Sequence, residues 1–288
     1  MKIALHQLTS NRSSMEEDLS AFREAGWTSF ELDINKVEGY LAGHITDDLA
    51  DLITGSGLKP IAFSGHVVEA FSSREAIKAN EAEFLRKLDF MAAVSCPVIV
   101  FGSDEPSEIA AAPDWRESGL AVRDRAYREH LGRFARQVAK LADMAGEKGI
   151  GMALEINWCR LCRSASTAAE AIELIDRENV GLIFDPAHFA GTPSRLEDLD
   201  LLKGKIIAGH LNDLRNAPLE VININFDRVI PGDGVLPLAQ WLAKVEECGY
   251  KGWHSVEIFS EELWTKSVHT IAREVMEGCK RIWPDAEF

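Results

Sequence analysis

The chain opens Lys2-Ile3-Ala4-Leu5-His6-Gln7-Leu8-Thr9-Ser10-Asn11, and the way this stretch ends separates two α/β architectures. Its apolar run reads as a buried parallel strand. In an open, doubly wound sheet the first strand leads into a glycine-rich turn that cradles phosphate. This stretch contains no glycine. The same kind of run recurs at Thr28–Asp33, Leu58–Ser64, Val98–Gly102, Gly151–Ile156, Val180–Phe184, Ile206–Leu211 and Trp253–Phe259, with helical periodicity between. Counting the first at Lys2–Leu8, eight β-α repeats close most naturally into a barrel. We therefore expect an α/β fold: a single (β/α)₈ TIM barrel, one domain over residues 1–288.

The junctions agree. Glycines at Gly26, Gly57, Gly149 and Gly249 close helices ahead of strands. Ser13-Ser14-Met15-Glu16 and Ser164-Ala165-Ser166-Thr167 resemble helix-capping boxes. Three loops look long, at 35–43, 102–122 and 213–237, all on the C-terminal face where barrel enzymes build their sites. The net charge of −15 disfavours nucleic acid and anionic membranes as partners. No apolar run reaches the roughly 18 residues that span a bilayer. The opening has no signal-peptide character, and the five cysteines are odd and scattered. A cytoplasmic location is expected. Cys159-Arg160-Leu161-Cys162 has no second pair to complete a structural zinc site and reads as loop.

The last four strands each end on a polar group. Met152-Ala153-Leu154 closes on Glu155, Leu182-Ile183-Phe184 on Asp185, Ile206-Ile207-Ala208-Gly209 on His210, and Ser255-Val256 on Glu257. Burying four such groups costs several kcal/mol without compensation. Three crowded carboxylates do not all stay ionised without a cation. One divalent metal resolves the conflict. Three carboxylates and an imidazole suit manganese, our first expectation, or magnesium, cobalt or zinc.

The runs Leu154-Glu155-Ile156-Asn157, Asp185-Pro186-Ala187-His188, His210-Leu211-Asn212-Asp213 and Ser255-Val256-Glu257-Ile258-Phe259 resemble the xylose isomerase-like sugar isomerase/epimerase superfamily, which includes ketose 3-epimerases, inosose isomerases and dehydratases, and apurinic-site endonucleases. The resemblance extends over essentially the whole chain, with its motifs from residue 150 onward. It implies that Glu155, Asp185, His210 and Glu257 bind the metal. His188 would contact substrate, and Arg215 loosely matches a substrate-binding arginine after strand seven. It also implies a homo-oligomer. The endonuclease branch is set aside: where it carries Asp-Arg-His this chain reads Asp227-Arg228-Val229, and strand four ends Phe101-Gly102-Ser103 without histidine.

The chemistry then implied is proton abstraction next to a carbonyl through a metal-stabilised enediolate, with Glu155 and Glu257 as ligands and acid/base groups and His188 acting on a substrate oxygen. Isomerisation or epimerisation of a sugar, keto-sugar or cyclitol is the first reading. A lyase using the same site, of inosose or dehydroshikimate dehydratase type or a 3-keto-glycoside eliminase, is the second. A non-catalytic sugar-binding barrel is disfavoured by the complete ligand set. Phosphate on the substrate is not expected, for want of a glycine-rich anion nest after strands seven and eight. His6 and His66 are candidate substrate contacts at the mouth, each with a plain hydrogen-bonded role as the alternative. Trp158 is a candidate wall for a sugar face, as is Trp264, with core packing as the alternative. Trp115 is a candidate lid anchor. Glu31 and Lys36 read as salt-bridge residues, and Asp213 as a group orienting His210 or a ligand water.

Overall fold

The computed structural model describes residues 1–106, 125–157, 161–218 and 221–288. Its eight barrel strands are β1 (Lys2–His6), β2 (Ser29–Asp33), β3 (Lys59–Val68), β4 (Val98–Ser103), β5 (Gly151–Glu155), β6 (Val180–Phe184), β7 (Ile206–Leu211) and β8 (Trp253–Val256). They pair in parallel in the closed order β1-β8-β7-β6-β5-β4-β3-β2. The expected barrel is therefore what the chain forms.

The strands form where both faces are buried: every residue of β2 and β6 is shielded from solvent. The main core lies between the strands and the outer helices. Small and branched residues fill the barrel centre, with Ala62, Val100, Ala153, Ile183 and Ala208 packed together beneath the mouth. Helix α1 (Met15–Ala25) starts at Ser14, whose hydroxyl accepts from Glu17 N while the Glu17 carboxylate accepts from Ser14 N. It stops at Gly26, whose φ of 98° suits glycine. Among the described residues no helix is long and apolar enough to cross a membrane.

Three local departures from the sequence reading shape the mouth. The stretch 35–43 was expected as loop, but Ile34–Leu41 forms helix α2. Asp33 is both the last residue of β2 and the helix cap, its carboxylate accepting from Asn35 N. Strand β1 ends at His6 because residues Gln7–Ser10 wind into a 3₁₀ turn. Strand β3 continues past Ser64 to Val68, but with a register shift between Phe63 and His66. Gly65 makes the shift with a φ of +111°, and a Cβ there would sit 2.3 Å from Ile34 Cγ2. His66 then pairs with Phe101 and Val67 with Gly102. The His66 ring consequently turns to Phe84 and Lys87 of helix α3 (Arg74–Ala93).

Candidate functional site

Each ligand candidate is placed by the end of its strand. Glu155 is the last residue of β5, and His210 lies next to last in β7. Asp185 follows β6 and caps the short helix Pro186–Ala190, accepting from His188 N at 3.0 Å. Both Asp185 oxygens also take the Asn212 amide at 3.1 Å. Glu257 lies just beyond β8, and its N–H donates to Leu211 O at 3.0 Å, so the ladder carries it to the mouth.

Closing the barrel brings the four together. Their ligand atoms all lie within 4.8 Å of one another. His210 Nδ1 stands 3.3 Å from Asp185 Oδ2, 3.4 Å from Glu155 Oε1 and 3.3 Å from Glu257 Oε2. Burial opposes ionisation of Asp185 and Glu155, yet opposite charge prevails. The Asp185 carboxyl is held well below the usual range against burial, chiefly by the Arg228 guanidinium. The Glu155 carboxyl is lowered against burial by the His188 and His210 rings. His210 is pushed well above the ordinary histidine range: burial would lower it, but Glu257, Glu31, Asp185 and Glu155 surround it. His210 Nδ1 thus faces three carboxylates, around the position a divalent ion would take. The donor set and its spacing fit such an ion.

A second trio, His6, His210 and Glu257, also has ligand atoms this close. Its chemistry is wrong for a metal. His6 Nδ1 accepts from Leu8 N at 2.9 Å, which leaves the ring proton on Nε2. That buried Nε2 stands 3.6 Å from Glu31 Oε1 and from Glu257 Oε1, without a hydrogen-bond partner. It is a donor aimed into the site, with no lone pair for a cation.

Arg228 is the component that sequence reasoning missed. A ribbon pairing Asp213–Leu214 with Arg228–Val229 folds the long β7–β8 connection back over the mouth. It buries the guanidinium almost completely. Nη1 donates to Glu257 Oε2 at 2.5 Å and Asp185 Oδ2 at 3.2 Å, and Nη2 reaches His188 Nε2 at 3.1 Å. Phe259 lies beneath it, 5.2 Å from centroid to guanidinium carbon. Because Arg228 only donates, His188 Nε2 accepts and its proton sits on Nδ1. No local pattern in Asp227-Arg228-Val229 signals this burial.

The remaining candidates are placed as follows. His188 Nε2 is 3.8 Å from Glu155 Oε2, so it shares the site. Arg215 instead stays half exposed and pairs with Asp227 at 2.7 Å. His66 borders the cavity, but its ring contacts are in the helical layer, with Nδ1 3.3 Å from Lys87 Nζ. Burial and the Lys87 charge push that ring down to about 3. Asp213 does not reach His210; its carboxylate accepts from the N–H groups of Leu214, Gly232, Gly234 and Leu236 and shapes the loop. Trp264 packs inside, donating to Leu8 O. Lys36 pairs with buried Asp18 at 3.3 Å. Trp158, Cys159 and Trp115 lie outside the described residues. Glu31, read as a salt-bridge residue, lies wholly inside the barrel. Burial would raise its carboxyl, but His210 and His6, with the Ser255 hydroxyl, bring it down to about 2.

The site opens into a cavity of about 330 Å³. His6, Asp33, Asn35, Glu155 and Asn157 supply polar walls, and Val67 and Phe259 supply apolar ones.

Metal uptake should release protons. The carboxylates around His210 favour its charged form, and a ligating imidazole must give up the proton on the ligating nitrogen. Calorimetric titration with zinc in two buffers of different ionisation enthalpy should show about one proton released. Heats independent of buffer would contradict this charge arrangement. The sign for stability follows. The raised His210 stabilises the metal-free fold fully below its unfolded value of 6.5, and this is lost as pH rises through the higher folded value.

The chain is 28% identical to an inosose isomerase of Halalkalibacterium halodurans over 275 residues, 93% of this chain and 91% of that protein. It is 25% identical to a 3-dehydroshikimate dehydratase of Pseudomonas aeruginosa over 256 residues, 86% of this chain but 36% of that longer protein. The crystal structure of an IolI protein with a bound zinc atom superimposes with a TM-score of 0.83 at 23% identity, covering 98% of both chains. The model of the xylose isomerase-like TIM barrel family matches residues 19–282, and the chain belongs to that family.

Proposed function

We propose that this chain is a divalent-metal-dependent isomerase that moves a proton next to the carbonyl of a neutral polyol ketone of the inosose class. The observation that carries the reading is the pair Glu155 and Glu257. Both flank His210 Nδ1 within 3.4 Å, and both open into the cavity. The inosose isomerase relative, matched along nearly its full length, supports the substrate class.

A divalent ion at Glu155, Asp185, His210 and Glu257 would supply a Lewis acid that disperses charge developing on a carbonyl oxygen. The oxygen-rich set suits manganese, and zinc, the ion in the IolI structure, is the competitor to test. The residues do the rest. Glu155, with 19% of its side chain exposed to the cavity, is placed to take the substrate proton. Glu257, held by Arg228, is fixed in orientation beside the same His210 nitrogen. His188 presents its Nε2 to Arg228, which orients the ring beside Glu155. Phe259 and Val67 offer apolar surface to the C–H face of a ring.

The walls favour isomerisation of a neutral compound over dehydration of an acid such as dehydroshikimate. Among the described residues lining the cavity there is no Lys or Arg, while Asp33, Glu155 and Glu257 are all acidic. A substrate carboxylate or phosphate would be repelled there.

The test is proton exchange in D₂O with a panel of inososes, ketoses, 3-keto-glycosides and dehydroshikimate, with manganese or zinc and with chelator. Metal-dependent deuterium uptake into an inosose and its isomer is expected. A new enone absorbance without deuterium in recovered substrate would replace the isomerase with the lyase. No exchange with any of them would overturn the substrate class.

A further inference from the structure

Glu31 belongs to neither candidate ligand set among the described residues, yet it is almost wholly enclosed. Its β2 position points it into the barrel, with 1% exposure. Oε1 accepts from the Ser64 hydroxyl of β3, and Oε2 from the Ser255 hydroxyl of β8. Oε1 also stands 3.3 Å from His210 Nε2 on β7. Donors from three other strands therefore fix the carboxylate from several directions. His6 Nε2, at 3.6 Å, is the remaining neighbour and lies beyond hydrogen-bond reach.

This arrangement makes the two nitrogens of His210 unequal. A carboxylate accepts and does not donate, so Nε2 facing Glu31 carries the proton. In a neutral ring Nδ1 then bears the lone pair. It is Nδ1 that points at Asp185, Glu155 and Glu257, at 3.3–3.4 Å. With the proton on Nδ1 instead, the ring would offer a hydrogen to the metal position and its lone pair to Glu31, unfavourable on both sides.

We propose that Glu31 is the positioning residue of the metal site: it sets the tautomer and ring orientation of His210, so that Nδ1 is the metal-binding atom, while Ser64 and Ser255 hold Glu31 in place. The inference rests on the metal-site reading above. A merely structural Glu31 would contribute to folding and leave the affinity of the folded protein for metal unchanged.

The experiment measures zinc affinity of the full-length chain by competition with a chromophoric chelator, for wild type and Glu31→Gln. It is joined by ¹⁵N–¹H spectra of histidine-labelled protein. Glu31→Gln should weaken zinc binding about 10- to 100-fold, the usual effect of losing such a partner. In zinc-loaded wild type His210 should show a protonated Nε2 and a metal-shifted Nδ1. The variant should lose that single pattern, because an amide can present either its oxygen or its NH₂ to the ring. Should Glu31→Gln fail to fold, Ser255→Ala, which frees the carboxylate without removing it, should weaken zinc binding in the same direction by less. Wild-type affinity in the folded variant with the His210 pattern unchanged would overturn the role of Glu31 and leave the metal site standing. Absence of zinc binding by the wild type would overturn the metal reading itself.

Discussion

Glu155→Gln, assayed at saturating metal, is expected to slow deuterium exchange and turnover by about 10³-fold, within the range for removal of a positioned acid–base group. The amide keeps the shape and one coordinating oxygen but cannot take a proton near neutral pH. Glu155 is a cleaner test than Glu257. Its side chain is partly open to the cavity, and its near neighbours are the rings of His188 and His210. Glu257 is held by one hydrogen bond, from Arg228 Nη1 to Oε2, and its Oε1 faces the N–H of His6 Nε2, a nitrogen 3.6 Å away. An amide at Glu257 must turn its NH₂ toward Arg228 or His6, so Glu257→Gln should lose activity, metal affinity and stability together. Glu155→Gln should lose activity with its thermal midpoint nearly unchanged. Exchange within tenfold of wild type in the Glu155 variant, with metal bound, would remove this residue from proton transfer.

The parts of the site that were legible in the sequence are those whose signal is local. Val180–Phe184 and Ile206–Leu211 have the bounds read from their apolar runs, because strands buried on both faces need continuous hydrophobicity. Glu155, Asp185, His210 and Glu257 stood out because each interrupts such a run at its carboxyl end, and barrel closure brings them together. What was not legible depends on one residue serving two elements, or on a long return of the chain. Asp33 ends a strand and caps a helix, so α2 was read as loop. Gly65 inserts a register shift that reverses which residue faces the mouth, a change that alternation alone does not carry. Glu31 sits in an ordinary strand, and its partners Ser64, His210 and Ser255 come from three others. Arg215, the first arginine after strand seven, was read as the loose match to a substrate-binding arginine, and Arg228, the second, was not considered for that role. The ribbon inverts that order, placing the more distant arginine inside and leaving the nearer one paired with Asp227 near the surface.

Arg228→Met is expected to lower the stability of the metal-free protein by roughly 3–5 kcal/mol, the cost of leaving buried charge without its partner. Methionine is unbranched and reproduces the arginine stem only about as far as Nε, so the change removes the guanidinium with its charge and its hydrogen bonds. Asp185 Oδ2 and Glu257 Oε2 both accept from Nη1, and without it the His210 proton would be the main positive charge between them. The sign with pH is fixed by Asp185. Its carboxyl is held well below 3.8, against burial and chiefly by Arg228, so its contribution is present above 3.8 and is lost as pH falls through the lower folded value. The gap between wild type and variant should therefore be full at pH 7 and narrow in acid. Divalent metal should restore the variant more than it stabilises wild type, because the ion enters a site with one positive charge fewer. Urea unfolding at pH 7, with chelator and with zinc, measures both effects. Equal stability of the two metal-free proteins would show that Arg228 does not balance the acids. A smaller gain from zinc in the variant would show instead that the guanidinium holds Asp185 and Glu257 in the geometry that the ion requires.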